Sequence, residues 1–160
     1  MPVTLSIVGT ANSGKTTLIS KLIPLIREKG FKVGVIKHTA HGFQMDHKGK
    51  DSWKHQEAGA DAVMVASDNA FAMVKKTSPI QLEELEAQMG DLDLIITEGY
   101  KQSQRPKLVV HRKANGKEPL TELPLMLARV GDEPLEDGLP HLSINDPGEV
   151  ARFIVETLLS

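Results

Sequence analysis

The run Gly9-Thr10-Ala11-Asn12-Ser13-Gly14-Lys15-Thr16 follows the pattern G-x-x-x-x-G-K-[ST] without a departure. The chemistry such a run supports is the grip on an oligophosphate. Its glycines let backbone N–H groups curl round phosphate oxygens, and the start of a following helix adds positive potential. Lys15 can reach the β- and γ-phosphates, and the Thr16 hydroxyl can coordinate Mg²⁺. With Thr17 next in the chain, residues Gly9 to Thr17 form the expected nucleotide-binding segment.

Such a loop works with an acid opposite it. In a parallel sheet, ligands sit beyond the carboxyl ends of the strands, which nominates residues by their place on a strand. Glu98 ends the apolar stretch Leu92 to Thr97 and precedes Gly99, so it is expected to contact Mg²⁺ directly or through water, or to orient an attacking water. Asp93, at the start of the same stretch, is expected at the far edge. Lys37 and His38 end another strand, where a cation would assist phosphate transfer. Asp46 and Asp51 lie in a polar stretch where a carboxylate can complete the Mg²⁺ shell, and Asp46 is the one assigned to it. The expected site therefore has Lys15 and Glu98 as its catalytic pair, Lys37 beside the phosphate loop, and Thr16, Glu98 and Asp46 on the metal.

Other groups invite chemistry and are read more plainly. His38, His41, His47 and His55 crowd one region, but none stands at an i, i+4 helical spacing and no cysteine assists, so a transition-metal site is not expected. Trp53 reads as an amphipathic contact. Lys101, Arg105, Lys107, Arg112 and Lys113 form a loosely basic run that reads as solvated surface.

These residues need a scaffold. Leu5 to Val8 reads as a strand, the phosphate loop as its exit, and Leu18, Ile19, Leu22, Ile23 and Ile26 as one face of a helix from Lys15 to a stop at Gly30. Pro24 inside that helix is expected to kink or shorten it. A second strand runs from Lys32 to Ile36, and Asp51 reads as the N-cap of a short helix ending at Gly59. Ala62 to Ala66 and Ala70 to Val74 flank Ser67-Asp68-Asn69 as a hairpin. Pro79 to Met89 reads as a helix with Ile80, Leu82 and Leu85 turned inward. The dense apolar strand Leu92 to Thr97 is expected to be central and covered on both faces. Strands at Leu108 to His111 and Leu125 to Val130 and a helix from Pro147 to Leu158 complete the pattern. The alternation gives a three-layer α/β P-loop NTPase domain whose mostly parallel sheet carries an antiparallel hairpin, a single domain over residues 1–160.

Composition narrows the function further. With 160 residues, 40% apolar and 25% charged, the chain has the make-up of an ordinary globular protein. A formal charge of −2 provides no long-range pull toward nucleic acid or an acidic membrane, and neither partner is expected. The absence of cysteine removes disulfides, thiolate zinc sites and cysteine nucleophiles. No secretory leader or membrane-crossing run is legible, which makes the cytoplasm the expected compartment.

The combination of Gly9 to Thr16, Lys37-His38-Thr39 with His41, Gly49-Lys50-Asp51-Ser52, Glu57-Ala58-Gly59-Ala60 and Glu98-Gly99-Tyr100-Lys101 resembles the molybdopterin-guanine dinucleotide biosynthesis protein B family (MobB). The matching segments span most of the first two-thirds of the chain. The resemblance implies a P-loop α/β fold related to the signal-recognition GTPases. It also implies a homodimer that binds GTP with Mg²⁺, hydrolyses it weakly and assists the guanylyltransferase that attaches GMP to molybdopterin. By matching position, Gly14, Lys15 and Thr16 would hold phosphate and Mg²⁺, Glu98 would be the acid of the second nucleotide motif, and Lys37 to Ala60 would respond to nucleotide or face the partner. Two departures bear on this. The loop lacks the extra lysine near its start that relatives in the broader class use across a dimer, so a shared active site of that kind is not supported. No Asn-Lys-x-Asp segment is present, so GTP over ATP rests on the resemblance, with Asp132 and Asn145-Asp146 as candidate base readers by position. A small-molecule kinase is the alternative, weakened by the lack of an arginine-rich lid.

Overall fold

Near-continuous runs of Val, Ile and Leu need cover on both faces, and strands of this kind lie at the centre of a six-stranded parallel sheet. The computed structural model describes residues 1–160. The strands are β1 (Val3–Gly9), β2 (Val33–Lys37), β5 (Leu94–Glu98), β6 (Lys107–His111), β7 (Met126–Gly131) and β8 (His141–Ser143), in the order β2-β5-β1-β6-β7-β8. Every neighbouring pair is parallel, so all carboxyl ends lie along one edge. Register then decides which residues meet at that edge: Glu98 is paired with Lys37 on one side and with Ile7 on the other. Asp93 is at the opposite edge, as the strand-end rule requires, where its carboxylate accepts the Lys32 N–H at 2.7 Å.

Side chains alternate across a strand, and the two faces of this sheet differ. One presents Leu5, Ile7, Leu94, Ile96, Leu108 and Val110 to α1 (Lys15–Arg27) and α4 (Pro147–Ile154), whose Leu22, Ile26, Val150 and Ile154 complete the core. The other carries the buried polar residues Thr4, Ser6, Thr97, Lys107 and Arg129. Each has a partner. Thr97 Oγ1 donates to Ser6 Oγ at 2.8 Å, and Thr4 meets Glu86 of α3 (Leu82–Ala87). Lys107 Nζ donates to the carbonyls of Ser103 and Arg105, and Arg129 Nε to Asp137 at 2.7 Å. The large majority of buried polar groups in folded proteins are satisfied in this way.

Residues Met1–His38 with Glu83–Ser160 form one compact unit and Thr39–Leu82 a second. The second holds α2 (Asp51–Glu57) and the antiparallel pair β3 (Ala62–Ala66) and β4 (Phe71–Lys75). The hairpin expected from the sequence is present, as a two-stranded sheet of its own. A groove of about 710 Å³ runs between its inner residues, such as Val63 and Val74, and the segment carrying His47 and Ser52. No helix of the chain is long and apolar enough to cross a membrane.

Several local expectations are corrected. α1 runs on past Pro24 to Arg27, and the Glu28 N–H donates to the Pro24 carbonyl at 2.9 Å. Lys50, in extended conformation, is the N-cap of α2, and Asp51 stands inside the first turn, where its charge meets the helix N-terminus. α3 begins at Leu82 and not at Pro79, leaving Ile80 exposed. β8 was not legible in the sequence. The last helix is α-helical to Ile154 and widens into a π turn over Val155–Leu159.

Candidate functional site

The phosphate loop joins β1 to α1, and its conformation follows from two glycines. A Cβ on Gly9 would fall 2.5 Å from the Val110 carbonyl oxygen of β6, so only glycine lets loop and strand approach this closely. Gly14 has φ near 95° and caps α1, where a side chain would be strained and would press on the Arg112 guanidinium at 3.2 Å. Between them Asn12 also takes a left-handed conformation, which Asn tolerates better than most residues.

Lys15, Thr16, Lys37 and Glu98 come together at this loop. Thr16 Oγ1 donates to Glu98 Oε1 at 2.8 Å, and Lys37 Nζ stands 3.4 Å from the same oxygen. Lys15 Nζ donates to the Thr10 carbonyl at 2.7 Å and the Gly9 carbonyl at 3.3 Å, holding the ammonium over the loop. Burial lowers the Lys15 pKa below its ordinary value; Glu98 works against that shift, while Lys101, Lys37 and Lys117 add to it. Ala11 to Thr17, Lys37, Glu98 and Arg112 line a cavity of about 580 Å³, within the range of small-ligand sites. On a chain of net charge −2, so many cations round one carboxylate make a local anion site.

Glu98 is fixed by its surroundings as well as by its strand. Gly99 and then Tyr100 follow it with positive φ, 107° and 54°. Left-handed backbone is costly for an aromatic residue, and such strain clusters at ligand-binding turns. The Tyr100 ring packs on His38, centroids 4.9 Å apart, tying the end of β5 to the end of β2.

Residues 4–132 match the family model described as molybdopterin guanine dinucleotide synthesis protein B. The chain belongs to the MobB family. The chain is 41% identical over 154 residues to the molybdopterin-guanine dinucleotide biosynthesis adapter protein of Haemophilus influenzae, covering 94% of this chain and 86% of that one. It is 38% identical over 154 residues to the adapter protein of the same name from Escherichia coli, covering 91% of this chain and 87% of that one. A crystal structure of a MobB protein homolog from Bacillus stearothermophilus superposes with a TM-score of 0.74 at 28% identity, over 96% of this chain and 95% of that one. The matched MobB segment takes in every residue that lines the phosphate cavity.

Of the expected site residues, Asp46 lies in the second unit. It belongs to Thr39–Leu82, where Ser52 and the His47 N–H hold its carboxyl below the usual range. Of the basic run expected at the surface, Lys101 and Lys113 are exposed, and the reading is corrected for Arg105, Lys107 and Arg112. Lys107 is fully buried, and Arg105 forms a two-pronged pair with Glu86 at 2.8 and 2.7 Å. Lys113 pairs with Glu133, Lys101 acts on Lys15, and Arg112 lines the phosphate cavity. Asn115 was also missed: its amide donates to Thr10 Oγ1 at 2.9 Å and to the Ala11 carbonyl at 3.0 Å, bracing the loop. The signal was available for Arg112, since it follows directly on β6, the strand beside β1, and the rule that nominated Glu98 nominates it too.

Proposed function

We propose that this chain binds GTP with Mg²⁺ at the phosphate loop, hydrolyses it slowly, and serves as a cytoplasmic, homodimeric adapter in the assembly of molybdopterin-guanine dinucleotide. The observation that carries the nucleotide reading is the convergence of Lys15, Thr16, Lys37 and Glu98 on one loop at the carboxyl ends of β1, β2 and β5. The role in the pathway rests on membership of the MobB family and on the adapter proteins the chain resembles.

Each residue has a task on this reading. Lys15 exchanges carbonyl contacts for β- and γ-phosphate oxygens. Thr16 and Glu98 supply oxygen donors to a hard cation, and two protein donors suit Mg²⁺, which keeps several waters and takes its remaining oxygens from phosphate. The metal, when bound, neutralises charge on the transferred phosphoryl group. Lys37 adds a cation at the same edge, and the second Glu98 oxygen is available to orient water. The exposed apolar side chains of β3 and β4, with Phe71 72% and Met64 58% accessible, support a second copy as partner for the hairpin.

The test of the adapter reading is turnover. Protein with saturating GTP and Mg²⁺ should release phosphate slowly, and the rate should rise when the guanylyltransferase and molybdopterin are added. Fast phosphate transfer to a small molecule with no partner present would overturn it.

A further inference from the structure

The Arg112 guanidinium is the one strongly basic group at the phosphate cavity whose position is fixed and whose inner donor has nothing to bind. Its Nε is buried and has no hydrogen-bond partner. Lys15 is held by loop carbonyls and Lys37 by Glu98, so both already have acceptors. Asp132 feels the charge of Arg112, yet its Oδ1 is committed to the Lys113 N–H at 3.0 Å. A buried N–H without an acceptor is costly and calls for an explanation, and a ligand that brings an acceptor to the guanidinium is one.

The backbone around Arg112 is fixed from both sides. Arg112 leaves β6 in extended conformation and starts a tight turn, Lys113–Asn115, closed by Gly116. Asn115 ties that turn to Thr10 and Ala11, the tip of the phosphate loop. Asp132 and Glu133 tie it to the residues after β7. The guanidinium lies against Gly14, so close that a Cβ there would stand 3.2 Å from Nε and 3.6 Å from Cζ. It therefore stands beside the residue that caps α1, and it lines the same cavity as Gly14 and Lys15. A planar, permanently charged fork in that place matches phosphate oxygens and loses little freedom on binding them.

We propose that Arg112 is a phosphate ligand supplied in cis: its guanidinium donates to an oxygen of the oligophosphate seated on Gly14 and Lys15. The role rests on the reading of this cavity as a nucleotide site. It gives the loop a further side-chain cation from its own chain, beside Lys15 and Lys37.

The experiment compares wild type, Arg112→Gln, Arg112→Lys and Lys15→Ala by calorimetric titration with GTP, GDP and inorganic triphosphate, alongside melting of each protein without ligand. Arg112→Gln should bind GTP and triphosphate about 10- to 100-fold more weakly, the range of a charge-assisted hydrogen bond, with Arg112→Lys recovering part of the loss and ligand-free melting unchanged. Equal affinity in wild type and Arg112→Gln, with Lys15→Ala impaired, would overturn the role of Arg112 and leave the nucleotide site standing. No triphosphate binding by wild type would overturn the nucleotide reading itself, and the proposal with it. A measurement on wild type alone covers the case of a variant that does not fold. The Arg112 Nε–H resonance should shift on addition of inorganic triphosphate, and an unmoved resonance would contradict direct contact.

Discussion

The two sheets of this molecule are built from similar residues and treated in opposite ways. In the six-stranded sheet Leu5, Ile7, Leu94, Ile95 and Ile96 have no accessible surface, whereas in the hairpin Met64, Val65, Phe71 and Met73 are 58, 54, 72 and 48% exposed. Strand pattern alone does not separate them, because Ala-Val-Met-Val-Ala and Leu-Ile-Ile-Thr-Glu are both β-rich runs. What separates them is cover. Parallel strands bring their own crossover helices, while a hairpin closes through a short turn and brings nothing to lie on its faces. A two-stranded sheet left uncovered is marginal in water, so its apolar residues are the ones to expect at an interface. Precision at the phosphate site belongs to the covered sheet, where register alone pairs Lys37 with Glu98.

The sharpest way to break this contrast is in the core. Ile96→Ala, at a fully buried position of β5, should cost about 2–5 kcal/mol in chemical denaturation at any protein concentration. A cost below about 1 kcal/mol would mean that the central strand is not packed as described. Next in size is the site. Lys15→Ala should weaken GTP binding by about 100-fold, roughly 2.7 kcal/mol, with melting unchanged, and normal affinity in a folded variant would remove the phosphate-loop assignment. The hairpin is tested by Phe71→Asp, which should weaken self-association by about tenfold or more in sedimentation while GTP affinity stays. A dimer as tight as wild type would show that the hairpin is not the contact.

The smallest effect is a titration. The Arg105 guanidinium holds the Glu86 carboxyl below its ordinary value of 4.5. A depressed folded-state pKa contributes stability above the unfolded value, and that contribution is lost as pH falls through the folded one. Wild type should therefore exceed Glu86→Gln by about 1 kcal/mol at neutral pH, with the difference closing below pH 4.5. A difference that persists in acid would assign the effect to packing.

Much of this was legible in the sequence, and for physical reasons. The phosphate loop is a local pattern, and Glu98 followed from a rule about strand ends that needs only the direction of the sheet. Lys107 was hidden because a charge run has no periodicity of its own. Its surroundings come from β1 and β7 and from distant loops, through pairings that no local window contains. β8 is only three residues long and offers too short a pattern to register. Ile80 looked like a core residue because helical spacing was extended back to Pro79, before the turn where α3 begins.

The measurement that bears most directly on the central claim is calorimetric titration with GTP and ATP, each with and without Mg²⁺, on wild type and Lys15→Ala. GTP binding that strengthens with Mg²⁺, exceeds ATP binding and is lost in Lys15→Ala is the expected result. Absence of triphosphate binding, or binding indifferent to Lys15, would contradict a nucleotide site at the carboxyl ends of β1, β2 and β5.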